Sequence, residues 1–152
     1  MLKTLKIKPM SPLMGKYIPF PEYATTGSAG MDLRACTTED ITIAPAQRVS
    51  VPTGIAIELP SAEYVALVCA RSGLAVKSGI TLSNCVGVID SDYRGEILVS
   101  LINQSDTAYT VTPGERIAQL LIMPVCVCNL KICDELSSTE RGAGGFGSTG
   151  RN

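Results

Sequence analysis

Residues 115–124 read "ERIAQLLIMP", and whether they form a helix or a strand decides the fold. Their apolar residues do not keep a clear period, so periodicity alone does not choose. The surroundings do. Pro113-Gly114 is a turn signal just before the stretch, and Pro124 closes it. Upstream, short runs rich in Val, Ile and Thr recur between Pro, Gly, Asn and Asp. They are "LKIKP", "ITIAP", "RVSVP", "GIAIELP", "YVALVCA", "CVGVID", "EILVSLI" and "YTVTP". Each has the length and residue types of a strand. In that company residues 115–124 read as a strand, and the chain as all-β: a sandwich, barrel or jelly roll. One stretch departs. "RSGLAVKSG", residues 71–79, fits a short helix with Ser72 as N-cap and Gly79 as its stop.

The totals narrow the possibilities. A chain of 152 residues fits one domain. Apolar residues make up 45% and charged residues 18%, with a mean hydropathy of +0.24. Such a dry composition points to self-association that covers part of the surface. A net charge of −1 gives no electrostatic case for a nucleic-acid polymer. No apolar run is long enough to span a bilayer, and the start lacks a signal-peptide pattern, so the expectation is a cytoplasmic protein without membrane partners. The six cysteines, Cys36, Cys69, Cys85, Cys126, Cys128 and Cys133, read as reduced thiols that mostly belong to the core. Histidine is absent. That excludes Ser-His-Asp and Cys-His chemistry and leaves a carboxylate as the natural general base. It also leaves oxygen or thiolate to hold any metal, and oxygen ligation points to magnesium or calcium.

Five islands interrupt the strand pattern. In "GSAGMDLRA", Asp32 lies within an apolar stretch, either as a turn carboxylate or as part of a site. In "ARSGLA", Arg71, Ser72 and Gly73 open the short helix, and they suit either an anion site or a plain helix start. In "NCVGVIDSDYRGE", two strands flank a turn at residues 91–93, read as a hairpin. Asp90 there ends an apolar run at the rim of the core, where it can present a base to water, though a turn-forming Asp reads the same. In "GERIAQL", Arg116 and Gln119 are polar within an apolar strand, as they also would be on an exposed edge. The fifth, "RGAGGFGSTG", residues 141–150, sets Arg141 and Phe146 among glycines. It is either a disordered tail or a backbone wrap for phosphate with a ring to cover a base.

In order and spacing, "AGMDLRA", "RSGLA", "GVIDSDYRGE", "GERIAQL" and "RGAGGFGSTG" resemble the five motifs of the trimeric deoxyuridine triphosphatases (dUTP diphosphatases). The resemblance covers Ala29 to Gly150, with Ala70 where many members carry proline. It implies a jelly-roll core over residues 1–136 and a flexible lid over 137–152. It also implies a homotrimer whose active sites draw on all three subunits. The implied reaction is hydrolysis of dUTP to dUMP and pyrophosphate, which keeps uracil out of DNA and supplies dUMP for thymidylate synthesis. Asp90 would activate the water that attacks the α-phosphorus. Asn84, Gly87, Val88, Ile89 and Asp90 would face uracil, with Leu98 as a further contact, and Tyr93 would pack on deoxyribose. Arg71, Ser72, Gly73 and Gln119 would bind phosphate, with Ser72 and Gln119 close to the chemistry. Arg141, Gly147 and Ser148 would grip the γ-phosphate end under Phe146. Asp32 would act through water on a magnesium ion carried by the triphosphate, and Arg116 would support. A deoxycytidine triphosphate deaminase, which shares the fold, and a non-catalytic β-sandwich module are the competing readings.

Overall fold

The ambiguous stretch is a strand, and a central one. In the computed structural model, which describes residues 3–145, strand β11 spans Arg116–Pro124. Ten further strands and one helix precede it. In order they are β1 (Lys6–Pro9), β2 (Gly30–Arg34), β3 (Ile41–Ile43), β4 (Arg48–Pro52), β5 (Ile55–Glu58), β6 (Tyr64–Ala70), α1 (Ser72–Ser78), β7 (Ile80–Leu82), β8 (Val86–Ile89), β9 (Leu98–Asn103) and β10 (Tyr109–Val111). The largest sheet has the order β2-β11-β6-β8, and a second is β4-β9-β7. Two-stranded pairs β1-β5 and β10-β3 complete a jelly roll. All these pairings are antiparallel. One core joins the sheets: Leu33, Ile43, Val51, Ile55, Leu101, Val111 and Leu120 are fully buried in it.

A bulge in β11 sets which side chains meet the core. Arg116 pairs with Arg34 and Ala118 with Leu33, so Ile117 is an extra residue between them. An extra residue reverses the side-chain alternation beyond it. Ile117, Ala118 and Leu120 can therefore all be buried. Arg116 and Gln119, three apart in sequence, come to share the opposite face with Arg34 and Asp32 of β2. This is why the stretch lacks a clear period.

Helix α1 differs in detail from the sequence reading. Arg71, not Ser72, occupies the N-cap position, and no side chain caps the helix. Ser72 is already helical because β6 continues to Ala70, leaving one residue for the change of direction. Gly79 ends the helix as expected, in the left-handed region at φ 66°, with its N–H donating to the Ala75 carbonyl.

The segment around Asp90 is not a hairpin. β8 pairs with β6 and β9 pairs with β4 and β7, so residues 90–97 carry the chain from one sheet to the other. The cysteines also depart from expectation. Cys36 is buried and Cys69 half-buried, but Cys85, Cys126, Cys128 and Cys133 are exposed. The last three follow β11 on a segment, residues 125–145, that forms no helix or strand. Among the described residues, no helix is long and apolar enough to cross a membrane.

Buried Asn103 fastens the end of β9. Its Nδ2 donates to the Ile43 and Thr107 carbonyls at 2.9 and 2.7 Å, and its Oδ1 accepts from the Ser105 N–H at 2.9 Å. The turn before β11 is held by Glu115, which accepts from the Tyr109 hydroxyl and from the Thr112 N–H. Burial, and then the bond to the Glu115 carboxylate, push the Tyr109 hydroxyl from 10.0 up to about 12.

Two outcomes follow from these contacts. Asn103→Ala removes three side-chain bonds to backbone groups and should cost about 3 kcal/mol, lowering the thermal midpoint by roughly 10 °C in a melting experiment. The Tyr109 contribution belongs to the protonated hydroxyl. It is complete below pH 10 and is lost as pH rises toward about 12. In denaturant titrations, wild type should therefore exceed Tyr109→Phe in stability at neutral pH, and the gap should close across that alkaline window.

Candidate active site

Two neighbouring strands and the start of α1 build a charged recess of about 500 Å³. β2 supplies Asp32, β11 supplies Arg116 and Gln119, and the β6–α1 junction supplies Arg71, Ser72 and Gly73. Asp32 is clasped by both arginines. Arg71 Nε lies 3.0 Å from Oδ1 and Arg116 Nη1 lies 3.1 Å from Oδ2. Arg71 Nη1 also donates to the Arg116 carbonyl at 3.0 Å, and Gln119 Nε2 donates to the Ala70 carbonyl at 2.9 Å. Gln119 thus holds the end of β6 directly before Arg71. Ala70 itself is paired with Ala118 as the last residue of β6, so the position without proline is fixed by a ladder. With two guanidinium groups to one carboxylate, the recess carries an excess of positive charge and suits a polyanion.

Magnesium does not fit this recess as a resident ion. Asp32 is the one carboxylate in the lining, and both of its oxygens are engaged by guanidinium groups. A hard cation needs several oxygen ligands. Among the described residues, no group of three or more His, Cys, Asp or Glu side chains gathers anywhere.

A second recess, of about 220 Å³, lies between the two large sheets' connecting residues. Val88, Ile89 and Leu98 give it apolar walls, and Asp90, Tyr93 and Glu96 line it as well. β8 is the edge of its sheet, so one side of its backbone has no strand partner and can offer N–H and C=O groups to a ligand. Gly87 sits opposite Val68, where an added Cβ would lie 3.0 Å from the valine Cβ. Asn84 is exposed on the turn before β8, and its carbonyl accepts from the Val86 N–H at 2.7 Å.

The sequence-derived residues therefore divide. Asp32, Arg71, Ser72, Gly73 and Gln119 meet in the charged recess, with Arg116 supporting. Val88, Ile89, Asp90, Tyr93 and Leu98 meet in the apolar one. Within one chain the two are separate recesses. Arg141 lies in the exposed C-terminal segment, where its Nε donates to the Gly144 carbonyl at 2.9 Å. Phe146, Gly147 and Ser148 lie outside the described residues. The sequence reading gave no role to Glu96 or Ser28, both of which line a recess. Both stood within quoted stretches, Glu96 in "NCVGVIDSDYRGE" and Ser28 in "GSAGMDLRA", but neither position carried a signal of its own.

A jelly roll that carries a cationic recess and, separate from it, an apolar one defines a class of protein equipped to hold an anion and a less polar group. The chain belongs to the dUTPase family, whose model matches residues 16–150. It is 50% identical over 148 residues to the deoxyuridine 5'-triphosphate nucleotidohydrolase of Idiomarina loihiensis, covering 97% of this chain and 98% of that protein. It is 44% identical over 151 residues to the protein of the same name from Escherichia coli, covering 99% of each. Among solved structures, a Staphylococcus bacteriophage 80alpha dUTPase with dUPNHPP matches with a TM-score of 0.85 and 29% identity, over 98% of this chain and 99% of that one.

The clasp makes a checkable claim. Asp32→Asn leaves two guanidinium groups facing each other without a counter-charge. The pairs are partly exposed, at 28% and 46% for the arginines and 22% for Asp32, so the loss should be about 1 kcal/mol. Thermal melts should show that loss in dilute buffer and a smaller one in molar salt.

Proposed function

We propose that the protein hydrolyses dUTP to dUMP and pyrophosphate at a site that joins the charged recess of one copy to the apolar recess of another. The observation that carries this reading is the division itself: phosphate-binding groups and base-facing groups occur in one chain, but in different recesses. The exposed apolar residues Val86, Val88 and Leu98, and then Val127, Leu130, Ile132 and Leu136 beyond β11, agree with association. A homotrimer with three shared sites accounts for both.

In this reading, uracil lies against β8. The outward backbone groups of residues 87–90 pair with its edge, with Asn84 beside them and Leu98 beneath. Cytosine would set a donor against a donor, which costs roughly 1–3 kcal/mol for a buried group. Thymine's methyl meets rigid backbone. Tyr93 packs on deoxyribose where a 2′-hydroxyl would stand. Arg71, Ser72, Gly73 and Gln119 hold phosphate oxygens, and the arginine excess offsets the charge that spreads over phosphate during transfer. Magnesium would come as part of the substrate, bound to the triphosphate, and Asp32 would act on it through water while still held by the arginines. Asp90 holds a water molecule in line with the α-phosphorus and takes its proton, and pyrophosphate departs. Residues 1–136 form the core. Residues 137–152 act as a lid that brings Arg141, Phe146, Gly147 and Ser148 over the substrate and excludes bulk water.

The test is pyrophosphate release from dUTP, dCTP, dTTP and UTP with magnesium. Turnover should be far greater with dUTP than with the others. Asp90→Asn should lower kcat on the order of 10²–10⁴-fold while nucleotide still binds. A chain truncated after Glu140 should keep its fold and lose most activity. Ammonia release from dCTP, or nucleotide binding without turnover in wild type, would refute the reading.

A further inference from the structure

We propose that Gly95 is a positioning residue: by leaving room for the Tyr93 ring, it sets how strongly deoxyribose is preferred over ribose. This rests on the reading above, in which Tyr93 packs against the sugar.

Residues 90–97 cross between sheets and so have no ladder to hold them. Their conformation is fixed by bonds within the loop and by ties to the turn between β4 and β5. The Tyr93 N–H donates to the Asp90 carbonyl at 3.2 Å. Arg94 Nη1 donates to the Ser91 and Tyr93 carbonyls at 2.8 and 3.0 Å. Glu96 Oε1 accepts from the Gly54 N–H at 2.7 Å, which ties the end of the loop to the turn between β4 and β5. Against this braced backbone, the Tyr93 hydroxyl donates to the Glu96 carbonyl at 3.0 Å. The ring therefore folds back across Gly95.

That path is open only to glycine. A Cβ at position 95 would lie 2.6 Å from Tyr93 Cζ and 3.0 Å from Cε2, and would overlap the hydroxyl oxygen still more closely. Carbon atoms in favourable contact stand about 3.5–4.0 Å apart. Three atoms of one rigid ring are affected together, so a small torsion at the tip gives no relief. The backbone is pinned at Asp90, Ser91, Tyr93 and Glu96, so rotation of the ring about its own Cα–Cβ bond is the easier escape. Such a rotation breaks the bond to Glu96 and moves the ring out of the recess it shares with Val88, Ile89 and Leu98. The space reserved for a bare C2′ then opens to a hydroxyl.

The measurement is kcat/KM for dUTP and for UTP, by pyrophosphate release, in wild type, Gly95→Ala and Tyr93→Phe. Tyr93→Phe removes only the tether to Glu96. The loss of about one neutral hydrogen bond predicts a dUTP-to-UTP ratio lowered about fivefold. Gly95→Ala displaces the ring itself and should lower the ratio about tenfold or more, with circular dichroism and assembly size unchanged. A merely structural role would lower both substrates together and leave the ratio intact. If both folded variants keep the wild-type ratio, the inference is wrong, and if Gly95→Ala does not fold, Tyr93→Phe decides alone. A wild type without dUTP turnover refutes the proposed function instead.

Discussion

One extra residue in β11 governs the face on which the charged recess is built. With Ile117 inserted into the pairing against β2, the strand sends Ile117, Ala118 and Leu120 inward and turns Arg116 and Gln119 outward together. Without it, residues 116 and 119 would point to opposite sides of the sheet, and one of them would meet the core. The bulge places Arg116 beside Asp32, and the doubly held carboxylate in turn orients Arg71. Gln119 reaches Ala70 from the same face and fixes the start of the turn into α1. The recess is thus a consequence of register more than of any single side chain.

The two recesses show how a small jelly roll without histidine can be equipped for phosphate chemistry. The cationic groups of its charged recess are set by a β ladder and the β6–α1 junction, and the lining of its apolar recess by an edge strand and a braced crossing loop. Positioning and charge compensation, rather than a strong nucleophile, are what such chemistry requires. The proposed trimer joins these two preformed halves, and the apolar surface that would cover the contact is already present on the chain.

Much of this was legible in the sequence, for identifiable reasons. The strands at residues 55–58 and 64–70 stood out because Pro, Gly and polar residues bound their apolar runs. β2 was harder to see, since Asp32 interrupts it, and β7 has only three residues. The bulge blurred the period of β11. The crossing at residues 90–97 looked like a hairpin because a turn between sheets uses the same residue types as one within a sheet, and partner choice is non-local. Cys126, Cys128 and Cys133 looked like core residues because their neighbours are apolar, yet the segment extends beyond the sheets. Asp90, Tyr93 and Leu98 line one recess, and their separation from Arg71 within one chain has no local sequence signal.

That separation supplies the most direct test. Asp90→Asn and Arg71→Ala chains, each inactive when assembled alone, can be unfolded together and reassembled as mixed oligomers, with pyrophosphate release from dUTP as the readout. If sites join recesses from different copies, some mixed sites will combine an intact Asp90 with an intact Arg71, and activity will return. If each site lies within a single chain, every site will carry one lesion, the mixture will stay inactive, and the account given for this fold will be contradicted.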